Sequence, residues 1–311
     1  MSPRATVLIP TWNAPETLGP AIETARAQTF ADIEILVVSD GAKPETIAVA
    51  DAHAAADPRV RVLRLAKGAA RGERNRHAGV LAARSPVIVY LADDDLLLPL
   101  HVERLLAALA THDLAQSLNS YVGPDDRLHL YAADLADAAW HAWHLAEPPQ
   151  NRISITGTAH TALAYGRLAE GWVIPEPGVP ADLTLWRQFF RLPGLRAITL
   201  PEVTALQFPA PDRRGMSVEQ FGAQRKPWEA FVRSPDAHER LQVLAAEAAR
   251  RELAEAGLRL SELAEAGLRL SALAADLANV RAELEAHRAT VSWRVTAPLR
   301  AFRRLTRRGG R

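Results

Sequence analysis

Three consecutive aspartates, Asp93, Asp94 and Asp95, follow an apolar run in the stretch PVIVYLADDDLLLPLHVERLL. Adjacent carboxylates repel one another and are costly to desolvate, so a cation or a solvated turn must compensate them. A hard divalent cation such as Mg²⁺ or Mn²⁺ is often held by one or two protein carboxylates, with substrate phosphates and water completing its shell. The plain alternative is an acidic turn capping the helix that starts near Pro99, and the position at the end of an apolar strand favours the metal reading. Other groups fit the same chemistry. Trp12 is suited to stack on a nucleobase, Asp40 to accept hydrogen bonds from a base, and Arg71, Arg74 and Arg76 in ARGERNRHAG to balance a diphosphate. Taken singly, each has a plainer reading as a core indole, an Asx turn closed by Gly41, and a solvated helix face.

The elements that position these residues follow from hydrophobic periodicity. Residues 5–9, 33–38, 59–65 and 86–91 read as strands, and 15–28, 44–56 and 69–83 read as helices, two of which open with proline near the first turn. Such alternation predicts a mostly parallel α/β sheet flanked by helices, with ligands beyond the carboxyl ends of the strands. Three strand ends then deliver Trp12, Asp40 and the aspartate cluster to one rim. Further on, AQSLNSYV and RLHLY read as a hairpin turning at Gly123 and Pro124. Residues 181–190 read as a helix with Asp182 in its first turn, and RAITLPEVTALQF reads as strand. Residues 134–178 carry no clear pattern, and 209–235 read as an irregular or partly helical link.

The 311-residue chain is 48% hydrophobic, enough for a full core, and its net charge of +1 gives no reason to expect nucleic acid. The absence of cysteine excludes disulfides and thiolate chemistry and fits a reducing compartment. The first residues are too short an apolar run for a signal peptide, and no window reaches the roughly 20 apolar residues of a spanning helix. A cytoplasmic protein, or one peripheral at the inner face of the plasma membrane, is expected.

The segments VLIPTWNAPETLGPAIETARAQTFADIEILVVSDG and ERNRHAGVLAARSPVIVYLADDD resemble the nucleotide-sugar half of family 2 glycosyltransferases, which have the GT-A fold. The resemblance runs from about residue 5 to 208. It implies that Trp12 and Asp40 hold the base, with Pro10 beside them in the nucleotide-binding set. It further implies Asp93 for ribose, Asp94 with Asp95 for a divalent metal, and Arg71 or Arg74 for the diphosphate. It assigns Asp182 the role of catalytic base, because an acceptor hydroxyl is a poor nucleophile until a positioned carboxylate takes its proton. Ser39, Ala92 and Ala181 stand where the family commonly has acidic residues, and none of them removes a carboxylate given a role here. His160, in GTAHTALAYGR, is taken as a candidate pocket residue.

The expected activity is inverting transfer of a hexosyl or deoxyhexosyl group from a UDP- or dTDP-sugar to a bacterial surface glycan or its lipid-linked precursor. The alternative is a glycosyltransferase-like scaffold without turnover, against which the retained Asp94 and Asp182 argue. Nucleotidyl transfer would want a glycine-rich phosphate loop, and PTWNAPE is not one. The domains expected are 1–237 for the glycosyltransferase unit, with nucleotide binding in 1–110 and acceptor and catalytic groups in 111–210. A coiled-coil-like helix follows in 238–290, either paired with a second copy or folded back as a hairpin, with seam residues from Leu270 to Leu284 and beyond. A basic amphipathic tail, 291–311, is suited to an anionic membrane surface.

Overall fold

The computed structural model describes residues 2–209 and 215–289. β1 (Ala5–Thr11) and β2 (Ile33–Asp40) are buried along almost their whole length, as strands covered on both faces must be. With β3 (Val60–Leu65) and β4 (Val87–Tyr90) they form a parallel set linked by α1 (Pro15–Arg26), α2 (Pro44–Ala56) and α3 (Glu73–Ala82). Pro15 and Pro44 occupy the first turns of α1 and α2, where a missing N–H costs nothing.

The sheet continues past β4 through β9 (Thr158–Thr161), β6 (Leu114–Ser117) and β10 (Ala197–Leu200), in the order β10-β6-β9-β4-β1-β2-β3. β9 is antiparallel to both of its neighbours, and β10 is parallel to β6. The chain thus winds outward from β1 to β3 and returns to β4 on the other side of β1. That reversal opens a crevice beyond the carboxyl ends of β1 and β4.

One core lies on the α1 and α2 face, with α4 (His101–Leu109) contributing Val102 and Leu105. The opposite core holds Tyr90, Trp172 and Trp186, the last on α7 (Ala181–Phe190). Glu34 marks the amino edge of the sheet. Thr6 Oγ1 (2.7 Å), Arg61 Nε (2.9 Å) and the Arg84 N–H (3.0 Å) all donate to its carboxylate, so this buried charge is satisfied internally.

The hairpin is β7 (Asn119–Val122) with β8 (Leu128–Tyr131), while Ala115–Ser117, expected in the same strand as β7, belongs to β6 (Leu114–Ser117) in the main sheet. The expected 196–208 strand is two pieces, β10 and β11 (Ala205–Leu206), the second pairing antiparallel with β5 (Leu96–Leu97). The unassigned 134–178 segment contains α5 (Ala138–Leu145), β9 and α6 (Ala162–Tyr165). Within 209–235 lies α8 (Val218–Val232), opened by a capping box between Ser217 and Gln220.

Contacts divide the chain into two units, Met1–Ala249 and Arg250–Arg311. The start of α9 (Ala237–Ala289) belongs to the first unit, where Leu241, Ala245 and Ala248 join a third core with Leu96, Phe208 and Phe221. In the second unit the described part is the remainder of α9, one unbroken helix through Gly257 and Gly267 rather than a hairpin. No described helix is long and apolar enough to cross a membrane. The expected basic element at 291–311 lies outside the described residues.

Candidate functional site

Two clefts open at the carboxyl rim of the sheet. The smaller, about 140 Å³, is lined by Pro10, Thr11 and Trp12 after β1, Asp40 at the end of β2, Arg71, Gly72, Asn75 and Arg76 around the start of α3, and Asp93 after β4. Trp12 is 53% exposed, so it is not a core indole, and Lys67 Nζ sits 5.3 Å from its ring centroid.

Asp40 is buried and held by the Gly68 N–H (2.7 Å), by Asn75 Nδ2 (2.6 Å) and by the Lys67 ammonium. Gly72 has φ +80°, and a Cβ there would lie 2.5 Å from Asp40 Oδ2. Only glycine serves both the backbone conformation and the close approach. Arg76 is desolvated, which lowers its pKa, and its Nε makes no hydrogen bond within the protein. Glu73, Asp182 and Asp40 favour its charge, so one guanidinium is coupled to both the β2 end and α7.

The aspartates divide between the clefts. Asp93 faces the smaller one, where it accepts a 2.6 Å hydrogen bond from Thr11 Oγ1 that spans the β1 and β4 ends. Burial and the neighbouring charge of Asp94 raise its pKa to about 6, against the hydrogen bonds from Thr11 and from the Trp12 backbone. Asp94 and Asp95 line a larger cleft of about 380 Å³ together with Arg71, Asn151, Arg152, Asp182 and Gln207. One oxygen of Asp95 accepts from the Phe208 N–H at 2.8 Å, which ties the cluster to the segment after β11. The Ala92 N–H donates to buried Thr156 Oγ1 at 2.9 Å and fixes the backbone entering the cluster.

Asp182, in the first turn of α7, accepts from Asn151 Nδ2 and from the Leu183 N–H, both at 3.0 Å. Burial raises its pKa, and the two hydrogen bonds and Arg76 oppose that shift. The arrangement suits a carboxylate that is oriented yet retains appetite for a proton.

Pro10, Trp12, Asp40, Arg71, Asp93, Asp94, Asp95 and Asp182 thus all line the two clefts, with Arg71 common to both. Arg74 lines neither; it points outward from α3, one residue out of phase with the cleft-facing Asn75. His160 is fully buried between strands and lines neither cleft. Its Nδ1–H donates to the Thr161 carbonyl (3.0 Å), so Nε2 accepts from the Tyr90 hydroxyl (2.9 Å), which in turn accepts from Trp172 Nε1 (2.9 Å). Burial holds its pKa down near 4, so it is a neutral core residue. Thr11, Asn75 and Asn151 escaped the sequence reading. Thr11 and Asn75 carry no distinctive local signal, and Asn151 falls in the segment without periodicity.

A sheet whose strand order reverses between β1 and β4, with carboxylates and arginines at that crevice, is a doubly wound α/β architecture with its ligand crevice at the switch point. The family described as glycosyl transferase family 2 matches residues 6–166, more than half of the chain, and the protein belongs to that family. The uncharacterized glycosyltransferase EpsJ of Bacillus subtilis is 33% identical over 95 residues, covering 30% of this chain and 27% of EpsJ. The succinoglycan biosynthesis protein ExoO of Rhizobium meliloti is 35% identical over 104 residues, covering 33% of this chain and 29% of ExoO. The matched stretch is thus under a third of either relative. Among solved structures, S. aureus TarS 1-349 superposes with a TM-score of 0.50 at 13% identity, covering 81% of this chain and 72% of that one. The fold is GT-A-like, a mostly parallel sheet flanked by helices and followed by a long C-terminal helix.

Proposed function

We propose that the protein is an inverting glycosyltransferase that moves a hexosyl or deoxyhexosyl group from a nucleoside diphosphate-sugar to a hydroxyl of a surface glycan or its lipid-linked precursor. The observation that carries this reading is that Asp94 and Asp182 line one cleft, which shares Arg71 with the cleft holding Trp12, Asp40 and Asp93. A donor laid across the two clefts has its base on Trp12, its ribose at Asp93, its diphosphate beside Arg71 and Asp94, and its sugar facing Asp182. Among these groups Arg76 is a further desolvated cation on the nucleotide side. The name of ExoO, a protein of succinoglycan biosynthesis, supports a polysaccharide acceptor. Work at the cytoplasmic face, where nucleotide-sugars are made, follows from the same reading.

In the reaction, an acceptor hydroxyl attacks the anomeric carbon while Asp182 takes its proton, and the bond to the nucleoside diphosphate breaks with its electron pair leaving on the phosphate oxygen. Asn151 and the Leu183 N–H hold the Asp182 carboxylate in place for that transfer. A divalent metal fits this site. Asp94 and Asp95 are hard oxygen donors, and the raised pKa of adjacent Asp93 marks a place where added positive charge is favourable. Among the described residues no group of three or more histidine, aspartate or glutamate side chains is placed to hold a metal ion by itself. When bound, such an ion supplies charge neutralisation to the departing diphosphate. Calorimetric titration of UDP and dTDP with Mn²⁺, with Mg²⁺ and with EDTA tests the reading. Binding that needs metal supports it, and no binding under any of these conditions overturns it in favour of the scaffold alternative.

A further inference from the structure

A third cleft, about 310 Å³, lies on α5 and is lined by Ala139, Trp140, Trp143 and Arg152. The two indoles are half-buried, with ring centroids 5.6 Å apart at 72°, so they form a corner with two apolar walls. A pair of tryptophans left in contact with water and rimmed by a cation has the composition of a ligand site. Arg152 also lines the catalytic cleft, and the residue before it, Asn151, holds Asp182. The tryptophan corner and the carboxylate are therefore joined through two consecutive residues.

The corner is built on rigid elements. Arg187 of α7 donates to the carbonyls of His144 (2.8 Å) and Ala146 (2.7 Å) and pairs with Glu147 (2.9 Å). The His144 Nδ1–H donates to the Trp140 carbonyl at 2.6 Å, which leaves Nε2 to accept the Arg152 N–H at 3.2 Å. The helix that carries Asp182 thus also fixes the register of the tryptophans. A pyranose ring has an apolar C–H face and an edge of hydroxyls, which matches indole walls and a guanidinium rim. We propose that Trp140, Trp143 and Arg152 form an acceptor subsite that grips a saccharide ring remote from the reacting hydroxyl. This rests on the glycosyltransferase reading above.

The test is saturation-transfer NMR on the full chain with neutral gluco-, manno- and galacto-oligosaccharides of six units, run beside UDP titration with Mn²⁺. The expected result is binding of at least one oligosaccharide, weakened tenfold or more in Trp140→Ala/Trp143→Ala, with UDP affinity unchanged. Arg152→Gln, at an exposed position, is expected to weaken oligosaccharide binding likewise and serves if the double variant fails to fold. Absence of oligosaccharide binding in the unaltered protein, or equal binding by the variants, overturns the subsite. So does a variant that keeps oligosaccharide binding but loses binding to phosphatidylglycerol vesicles, which makes the corner a membrane contact. Loss of UDP binding in the unaltered protein would instead count against the donor site, so the two failures are distinguishable.

The second unit carries an independent inference. In α9, Leu270, Leu273, Leu277, Val280 and Leu284 are all exposed and follow the a and d spacing of a heptad seam. In that register Asp276 falls at g and Arg281 at the e position five residues on, and the sequence repeats the pattern with Glu283 and Arg288. A parallel, in-register pair sets acid against base at each g–e contact, whereas an antiparallel pair sets like charges together. We infer that this seam is covered by the same segment of a second copy, in parallel. Light scattering should give twice the 33.9 kDa chain mass, falling to one chain in Leu273→Glu/Leu277→Glu. The chain has no cysteine, so Leu273→Cys should form an intermolecular disulfide on oxidation only in the parallel register. A monomeric unaltered protein, or a dimer in which Leu273→Cys does not cross-link, overturns the inference.

Discussion

Asn151 Nδ2 donates a 3.0 Å hydrogen bond to Oδ2 of Asp182, while the Leu183 N–H donates at the same distance to Oδ1. Both carboxylate oxygens are thereby oriented, yet burial still raises the pKa of the group. Replacing Asn151 with alanine should leave the carboxylate misaimed and more reluctant to ionise. Transfer rate at saturating substrate should fall about tenfold or more, with donor affinity unchanged, as initial-rate kinetics would read.

The raised pKa of Asp182 links activity to stability. The native state holds that proton to higher pH than the unfolded chain does, so stability associated with this group is fully present below the ordinary carboxylate range and is lost as pH rises through the raised value. Asp182→Asn should therefore melt above the unaltered protein at pH 8 and lose that advantage near pH 4. Calorimetric melting at the two pH values checks the sign. The acid limb of the activity profile should lie above the ordinary carboxylate range.

Gly72→Ala introduces a methyl group 2.5 Å from Asp40 Oδ2 at a residue with φ +80°. The left-handed conformation alone costs roughly 1–2 kcal/mol for a residue with a Cβ. The variant should fold with a lowered melting temperature and bind nucleotide at least tenfold more weakly, as titration with UDP would show.

Thr11→Val keeps shape and removes the 2.6 Å donor to Asp93. A hydrogen bond to a charged group contributes about 1.5–3 kcal/mol, so nucleotide affinity should drop about tenfold or more if Asp93 holds the ribose. An unchanged dissociation constant would remove Asp93 from the donor site.

The rim of the sheet was readable because a parallel α/β pattern sends the ends of its strands to one edge, which makes Trp12, Asp40 and the aspartate cluster neighbours. Helix Ala181–Phe190, with Asp182 in its first turn, was readable from its apolar period, whereas the role given to Asp182 came only from the resemblance to family 2 glycosyltransferases. His160 was misread. A histidine in an irregular stretch carries no sign of whether it faces solvent, and its place on β9 depends on antiparallel pairing with β4 and β6, which are distant in sequence. His160→Ala should accordingly destabilise by about 1–3 kcal/mol through the orphaned Tyr90 hydroxyl, without changing the Michaelis constants. Asn151 and the α5 tryptophans were illegible for the same cause, since only tertiary packing against α7 brings residues 138–155 to the cleft. Arg74 shows the limit of composition, because neighbouring arginines on one helix face different ways.

Donor binding across the two clefts and proton abstraction by Asp182 are separate tasks, and that separation is the central claim. Its most direct test is Asp182→Asn assayed side by side for donor binding and for transfer. Nucleotide-sugar affinity should equal that of the unaltered protein, and the transfer rate should be lower by about 10²–10⁴-fold. Transfer at the normal rate would contradict it.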